Sequence, residues 1–215
     1  MKNKALVLMI LLAVTLLGAC TAIPDNKVDM TAVQQKLNAI DAYKAGIKDN
    51  QVVEQDYDAA QGTFRSFNFG VSKEIVQSME TLPLEKAYTD ALDYTGSGIY
   101  GYDMLLTYWF NGDDQFHSAS YSMEGDNYLD TVSSLKAGLS GDYGEPTESG
   151  YYDSADTAVS FASDIEALQA VDNEGAYYYA SYQDANGISV ELYARKIDTG
   201  YDYWVYYTDY TYYTE

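Results

Sequence analysis

The sequence predicts an α+β fold in which antiparallel sheet meanders carry helices packed on one face. Three observations point there. Several runs alternate apolar and polar residues and are separated by turns rich in Gly, Asn and Asp. Other segments repeat apolar residues at helical spacing. The chain also has 24 tyrosines against 6 phenylalanines and 2 tryptophans, and aromatic side chains suit a pleated surface. The 215 residues suffice for one ordinary domain or two small ones.

The elements follow in order. Residues 31–63 are read as an N-terminal helix and linker. Val33, Leu37, Ile40 and Ile47 recur at helical spacing, and Thr31 with Gln34 has capping-box spacing. The α+β domain is expected over 64–215. Phe64, Phe67 and Phe69 crowd a segment ending at Gly70, and Ser72 is placed to cap a helix running to Met79. Strand-like runs follow at Ala91–Tyr94, Ile99–Phe110 and Phe116–Met123, with Asn111-Gly112-Asp113-Asp114 as a hairpin turn. Met104, Leu106, Tyr108 and Phe110 share one strand face.

Leu129, Val132, Leu135 and Leu139 form the apolar stripe of the clearest helix, capped by Asp126 or Asn127 and ended by Gly141. Polar residues 147–156 lead to a short helix from Ser163 to Val171. A three-strand meander closes the domain, at Ala176–Gln183, Ile188–Lys196 and Asp202–Tyr212. The order of elements fits a degenerate duplication of a helix-plus-three-strand unit, with halves 64–146 and 147–215.

Charge and cysteine usage narrow the function. The formal net charge is −21, which repels nucleic acid and anionic headgroups. Nucleic acid is therefore not an expected partner. Cys20 is the single cysteine, so the domain is expected to be stable through its core alone. Ahead of it, Lys2 and Lys4 precede the apolar run Ala5–Leu17, and two small residues follow. A charged start, a short apolar core and a small-residue exit are the parts of a secretory signal peptide. The run is shorter than the ~20 apolar residues a membrane span needs.

Leu17-Gly18-Ala19-Cys20 resembles the lipobox of bacterial lipoproteins at all four positions. That resemblance implies a signal peptide over 1–19, cleavage before Cys20, and a diacylglycerol group on its thiol. Residues 20–30 would then be a tether, and the membrane a partner through the lipid. The implied location is the cell membrane or outer membrane, facing away from the cytoplasm. In two-membrane bacteria Thr21 after the cysteine leans toward the outer one.

The body carries a second resemblance. Phe69–Val76, Tyr108–Phe116 and Tyr143-Gly144-Glu145-Pro146 resemble a layout of small α+β envelope lipoproteins. It is similar, too, to helix-plus-hairpin lipoproteins that assist outer-membrane assembly and to β-lactamase-inhibitor-like modules. The shared residues are turns and caps, so they imply a fold and no catalytic residue.

Chemistry is sparse. His117 is the one histidine, and it sits beside Phe116 in a strand, where a structural role is expected. No Gly-x-Ser-x-Gly elbow, P-loop or Gly-x-Gly-x-x-Gly occurs. No cofactor is expected. Asp113, Asp114, Asp153 and Asp156 are candidate Ca²⁺ ligands without EF-hand spacing. Turn chemistry is the competing reading of all four.

The tyrosine strand is the best functional candidate. Tyr201 and Tyr203 share one parity, and Trp204, Tyr206, Tyr210 and Tyr212 the other. Both faces are thus aromatic, and exposed Tyr and Trp suit binding of protein or glycan. The expected function is a lipid-anchored, non-enzymatic binding or assembly module using this face. The alternatives are a carboxylate-based or Ca²⁺-dependent envelope hydrolase and an inhibitor of a secreted enzyme.

Overall fold

A computed structural model describes residues 57–58, 62–173 and 175–213, together with Asn38. Cys20, the signal peptide, the tether and, apart from Asn38, the helix expected from Thr31 lie outside the described residues. The described residues from Tyr57 onward all belong to one compact unit, Ala42–Glu215.

The architecture is α+β. Three short strands, β1 (Tyr57–Asp58), β2 (Thr63–Phe64) and β3 (Phe67–Asn68), form a small antiparallel sheet. Helix α1 (Lys73–Met79) follows, with Ser72 at its N-cap, although the Ser72 side chain makes no capping bond. Then come β4 (Leu84–Ala87), β5 (Ala91–Ile99), β6 (Tyr102–Phe110) and β7 (Phe116–Gly125), and helix α2 (Tyr128–Tyr143). The last section holds β8 (Glu148–Tyr152), β9 (Ala158–Val159), helix α3 (Asp164–Asp172), β10 (Tyr177–Gln183), β11 (Ser189–Ile197) and β12 (Gly200–Thr208).

Strands β4 to β12 make one antiparallel nine-stranded sheet in the order β4-β5-β6-β7-β12-β11-β10-β8-β9. The two meanders, β5-β6-β7 and β10-β11-β12, therefore meet at their last strands. Tyr207 faces Ala119 and Val205 faces Tyr121 across that seam. The halves differ in their additions: α1 precedes the edge strand β4 and α2 follows β7, whereas α3 follows β8 and the edge strand β9.

One face of the sheet carries the core. Leu92, Tyr94, Leu106, Tyr108, Ala119 and Tyr121 come from the first meander, and Tyr182, Leu192, Tyr203, Val205 and Tyr207 from the second. Phe64, Phe67, Phe69 and Val76 pack on the first; Val132, Leu135 and Leu139 of α2 and Val171 of α3 complete the cluster. Tyr128 fixes α2 to the sheet by donating its hydroxyl to the Ala194 carbonyl at 3.1 Å. No helix among the described residues is long and apolar enough to cross a membrane.

Several local expectations are corrected. The run read as one strand, Ile99–Phe110, is two strands joined at Tyr100-Gly101, where φ is +52° and +86°. Those are the paired positive angles of a tight two-residue hairpin. The glycine-rich stretch around Gly96 is thus hairpin backbone. The helix expected to end at Gly141 runs to Tyr143, and Gly144 caps it at φ +80°. Gly138 lies inside it because the Tyr100 ring packs there; an added Cβ would come within 2.4 Å of that ring. Residues 147–156 contain β8, held by pairing with β10. Strand β12 ends at Thr208, four positions before the expected Tyr212.

Candidate functional site

Alternation in β12 decides which tyrosines are available. Tyr203, Val205 and Tyr207 point into the core, and Trp204 and Tyr206 point to the opposite face, on which none of the described helices packs. Tyr203 is fully buried and Tyr128 of α2 lies against it with ring centroids 6.2 Å apart. It is therefore removed from the candidate face. Tyr201 shares its parity: its ring packs on Tyr128 at 4.9 Å, and its hydroxyl donates to Asp172 of α3. Tyr212, beyond the strand, packs against the core cluster, and its carbonyl accepts from Asn111 Nδ2 at 2.8 Å. Of the six candidates, Trp204, Tyr206 and Tyr210 come together on the open face.

There they line an open trough of about 1020 Å³. It sits over the seam between the meanders, at the end where the β6–β7 turn and residues 209–213 converge. Strand β7 presents small side chains at its open-face positions, Ser118, Ser120 and Ser122. Ser118 and Thr208 share a hydrogen bond of 2.9 Å, and Trp109 of β6 donates its indole N–H to Ser120 at 2.9 Å. Of the three, Ser118 lines the trough, a small side chain between Trp109 on one side and Trp204 and Tyr206 on the other. Trp204 and Tyr206 are stacked, with centroids 5.6 Å apart and planes within 8°. The aromatic surface continues across the sheet. Tyr206 meets Tyr193 edge-on at 5.9 Å, Tyr193 stacks with Tyr177 at 6.2 Å, and Tyr177 with Tyr152 at 5.8 Å.

Glu191 of β11 lies in this aromatic setting. Its Oε1 accepts from Ser189 and Tyr210 hydroxyls, each at 3.0 Å. Burial, with the Glu191 charge behind it, pushes the Tyr210 phenol up to about 12. Arg195 also lines the trough and pairs with Asp202 at 3.3 Å. His117 is the extra residue of a β-bulge between the Trp109–Ser118 and Phe110–Phe116 pairs. The bulge turns Phe116 into the core and leaves His117 on the trough wall. Its ring sits edge-on to Tyr213 at 5.1 Å, its buried Nδ1 has no hydrogen-bond partner among the described residues, and burial lowers its pKa.

Neither a family model, nor a curated protein, nor a solved structure matches this chain.

The carboxylates singled out as Ca²⁺ candidates do turn and surface work. Asp153 Oδ1 accepts from the Ala155 and Thr157 N–H groups, both at 2.9 Å. Asp156 accepts from the Tyr177 hydroxyl at 2.7 Å. Asp113 and Asp114 sit in the β6–β7 turn, where Asn111 Oδ1 accepts from the Asp113 and Gln115 N–H groups. Among the described residues no three His, Cys, Asp or Glu side chains converge to hold a metal.

Sequence reasoning missed Trp109, Tyr193, Glu191, Tyr213 and Ser118. One signal was legible: Phe116–Met123 carries Ser at every second position, opposite Ala119, Tyr121 and Met123. Small polar residues on one face of a sheet strand mark a groove when aromatic residues flank them on neighbouring strands. The hairpin turn at Asn111–Asp114 made β6 one neighbour; that β12 would be the other was not legible, because the seam joins residues some 80 positions apart.

Proposed function

We propose that this is a lipid-anchored envelope protein whose folded domain is a non-enzymatic binding module, seating a protein or glycan on the open sheet face. The observation that carries the reading is the trough over the β7–β12 seam. Five aromatic residues of the wall, Trp109, Trp204, Tyr193, Tyr206 and Tyr210, share one side of the sheet while all three described helices pack on the other. Tyr and Trp combine apolar area with a polar tip and lose little conformational freedom on contact, which suits them to recognition surfaces. A wide, shallow lining of this kind favours an extended ligand over a small reactant held in a closed pocket. The lipobox-like segment ending at Cys20 supports anchorage outside the cytoplasm, and the large negative charge supports solubility there.

Site-specific photo-cross-linking in cells tests the reading. A cross-linker at Tyr206 or Tyr210 should give discrete adducts. One at Ile165, which is 68% exposed on α3, should not. Equal adduct patterns from both faces would sink the assignment.

A further inference from the structure

We propose that the trough takes an extended basic segment of a partner protein, with a lysine or arginine side chain seated over Glu191. This rests on the open sheet face being the binding surface. Tyr206 is the cross-strand partner of Glu191. Tyr193 stands two positions along on the same face, and Tyr210 donates its phenol to the carboxylate at 3.0 Å. The Ser189 and Tyr210 hydroxyls that bond the Glu191 carboxylate are neutral. Among the described residues the ion pairs are Arg65–Glu80 and Arg195–Asp202, so no cation balances Glu191.

A carboxylate set among aromatic faces is matched to an ammonium or guanidinium group. Ring quadrupoles attract cations, and the carboxylate accepts their charge-assisted hydrogen bonds. Further carboxylates, Asp90 and Asp114, stand along the same trough. Its basic side chains are His117 and Arg195, and Arg195 is engaged with Asp202. At longer range the net charge of −21 draws a basic partner in and repels an acidic one. The volume of about 1020 Å³ far exceeds one ammonium group and reaches the top of the small-molecule range of ~300–1,000 Å³. It suits a stretch of chain that lays several side chains along the aromatic wall. A neutral glycan would use the aromatic faces but draw nothing from the negative charge.

Both tryptophans of the chain, Trp109 and Trp204, line the trough, so intrinsic fluorescence reports its occupancy. The full chain would be titrated with an end-blocked Arg-Gly repeat peptide, a matched Glu-Gly peptide and a soluble peptidoglycan fragment. The Arg-Gly peptide should perturb the fluorescence saturably and the Glu-Gly peptide should not. Glu191→Gln should weaken the Arg-Gly peptide about tenfold, the loss of one charge-assisted contact. Tyr210→Ala, in the exposed turn, should also weaken it. Asp198→Asn, which removes the same charge in the β11–β12 turn, should change it less than about twofold. Equal weakening by Glu191→Gln and Asp198→Asn would overturn the proposal, because the attraction would then be net charge alone. A peptidoglycan response indifferent to Glu191→Gln, with none to Arg-Gly, would overturn it while leaving the binding face intact. Silence from every probe overturns it as well. The binding-face reading is decided separately, by whether cross-linkers at Tyr206 and Tyr210 give discrete adducts that one at Ile165 does not.

Discussion

Arg65 donates through Nε to Glu80 Oε2 at 3.1 Å and through Nη2 to Oε1 at 3.3 Å. The pair ties the β2–β3 hairpin to the C-cap of α1. Tyr108 adds its hydroxyl to Oε2 at 2.6 Å, and the Thr81 and Leu82 N–H groups bond Oε1. Side-chain exposures are 13% for Arg65 and 3% for Glu80, so both charges are largely removed from water. The hairpin turn is Arg65-Ser66, two non-glycine residues at φ +46° and +69°. The surrounding bonds hold that unfavourable geometry in place.

Breaking this pair leaves a buried charge without its partner. Glu80→Gln should cost about 3–5 kcal/mol, measured by chemical denaturation. Burial alone would raise the Glu80 carboxyl, but the bonds from Arg65 and Tyr108 outweigh it and hold its pKa below the ordinary 4.5. The Glu80 contribution is therefore fully present above 4.5 and is lost as pH falls through the lower folded value. The variant should lack that part of the acid limb. A wild-type stability profile flat through this range would contradict the assignment.

Tyr203 and Trp204 are neighbours with opposite fates. Tyr203→Ala should cost about 3–5 kcal/mol because it empties a fully enclosed site beneath α2. Trp204→Ala should cost no more than about 1–2 kcal/mol and should remove ligand response from the trough. Thermal unfolding paired with binding separates the two. Similar melting losses would mean the open face is covered.

The buried phenols set an alkaline limit. Burial raises Tyr94 and Tyr203 from 10.0 to about 12, and pushes Tyr108 and Tyr207 well above the ordinary value. Groups with raised folded values stabilise the fold below pH 10, and that contribution is lost as pH climbs from 10 toward 12. Phenolate absorbance should therefore show a late, cooperative phase coinciding with loss of circular dichroism. A single phase near 10 with the fold intact would contradict this packing.

Gly138→Ala should destabilise by about 1–3 kcal/mol through overpacking, although alanine is worth about 1 kcal/mol more than glycine within a helix. The new Cβ would meet the Tyr100 ring, whose hydroxyl bonds Asp142 at 2.7 Å. In a Tyr100→Ala background the same change should stabilise. A double-mutant cycle reads the coupling, and additive effects would refute the contact.

Intact mass of membrane-derived protein tests the proposed lipid anchor. Wild type should carry a diacylglyceryl mass on Cys20, and Cys20→Ser should be unprocessed or released. A cleaved, unmodified Cys20 in the soluble fraction would make this an ordinary secreted protein.

The sequence by itself determined the class of the domain and most of its elements. Local patterns do that work. Leu129, Val132, Leu135 and Leu139 recur at helical spacing and fall on the buried side of α2. The alternation Ile188, Val190, Leu192, Ala194 is all core, as one-sided burial requires. Even the opposition of Tyr203 and Trp204 followed from parity alone. Misplaced boundaries arose where geometry is settled by a distant contact. Residues 147–156 read as a polar stretch between helices until β10 pairs with them.

Only the tertiary structure decided which tyrosine face is open, and that the two meanders join through β7 and β12. Parity says that two faces differ; it does not say which one the helices cover. That choice rests on the joint burial of Tyr128, Leu135, Leu139 and Val171 against one side. The trough likewise needs Trp109 of β6, Ser118 of β7 and Trp204 of β12 side by side. Strand pairing across that many residues is fixed by the total burial of the finished core, a quantity no local window of sequence contains.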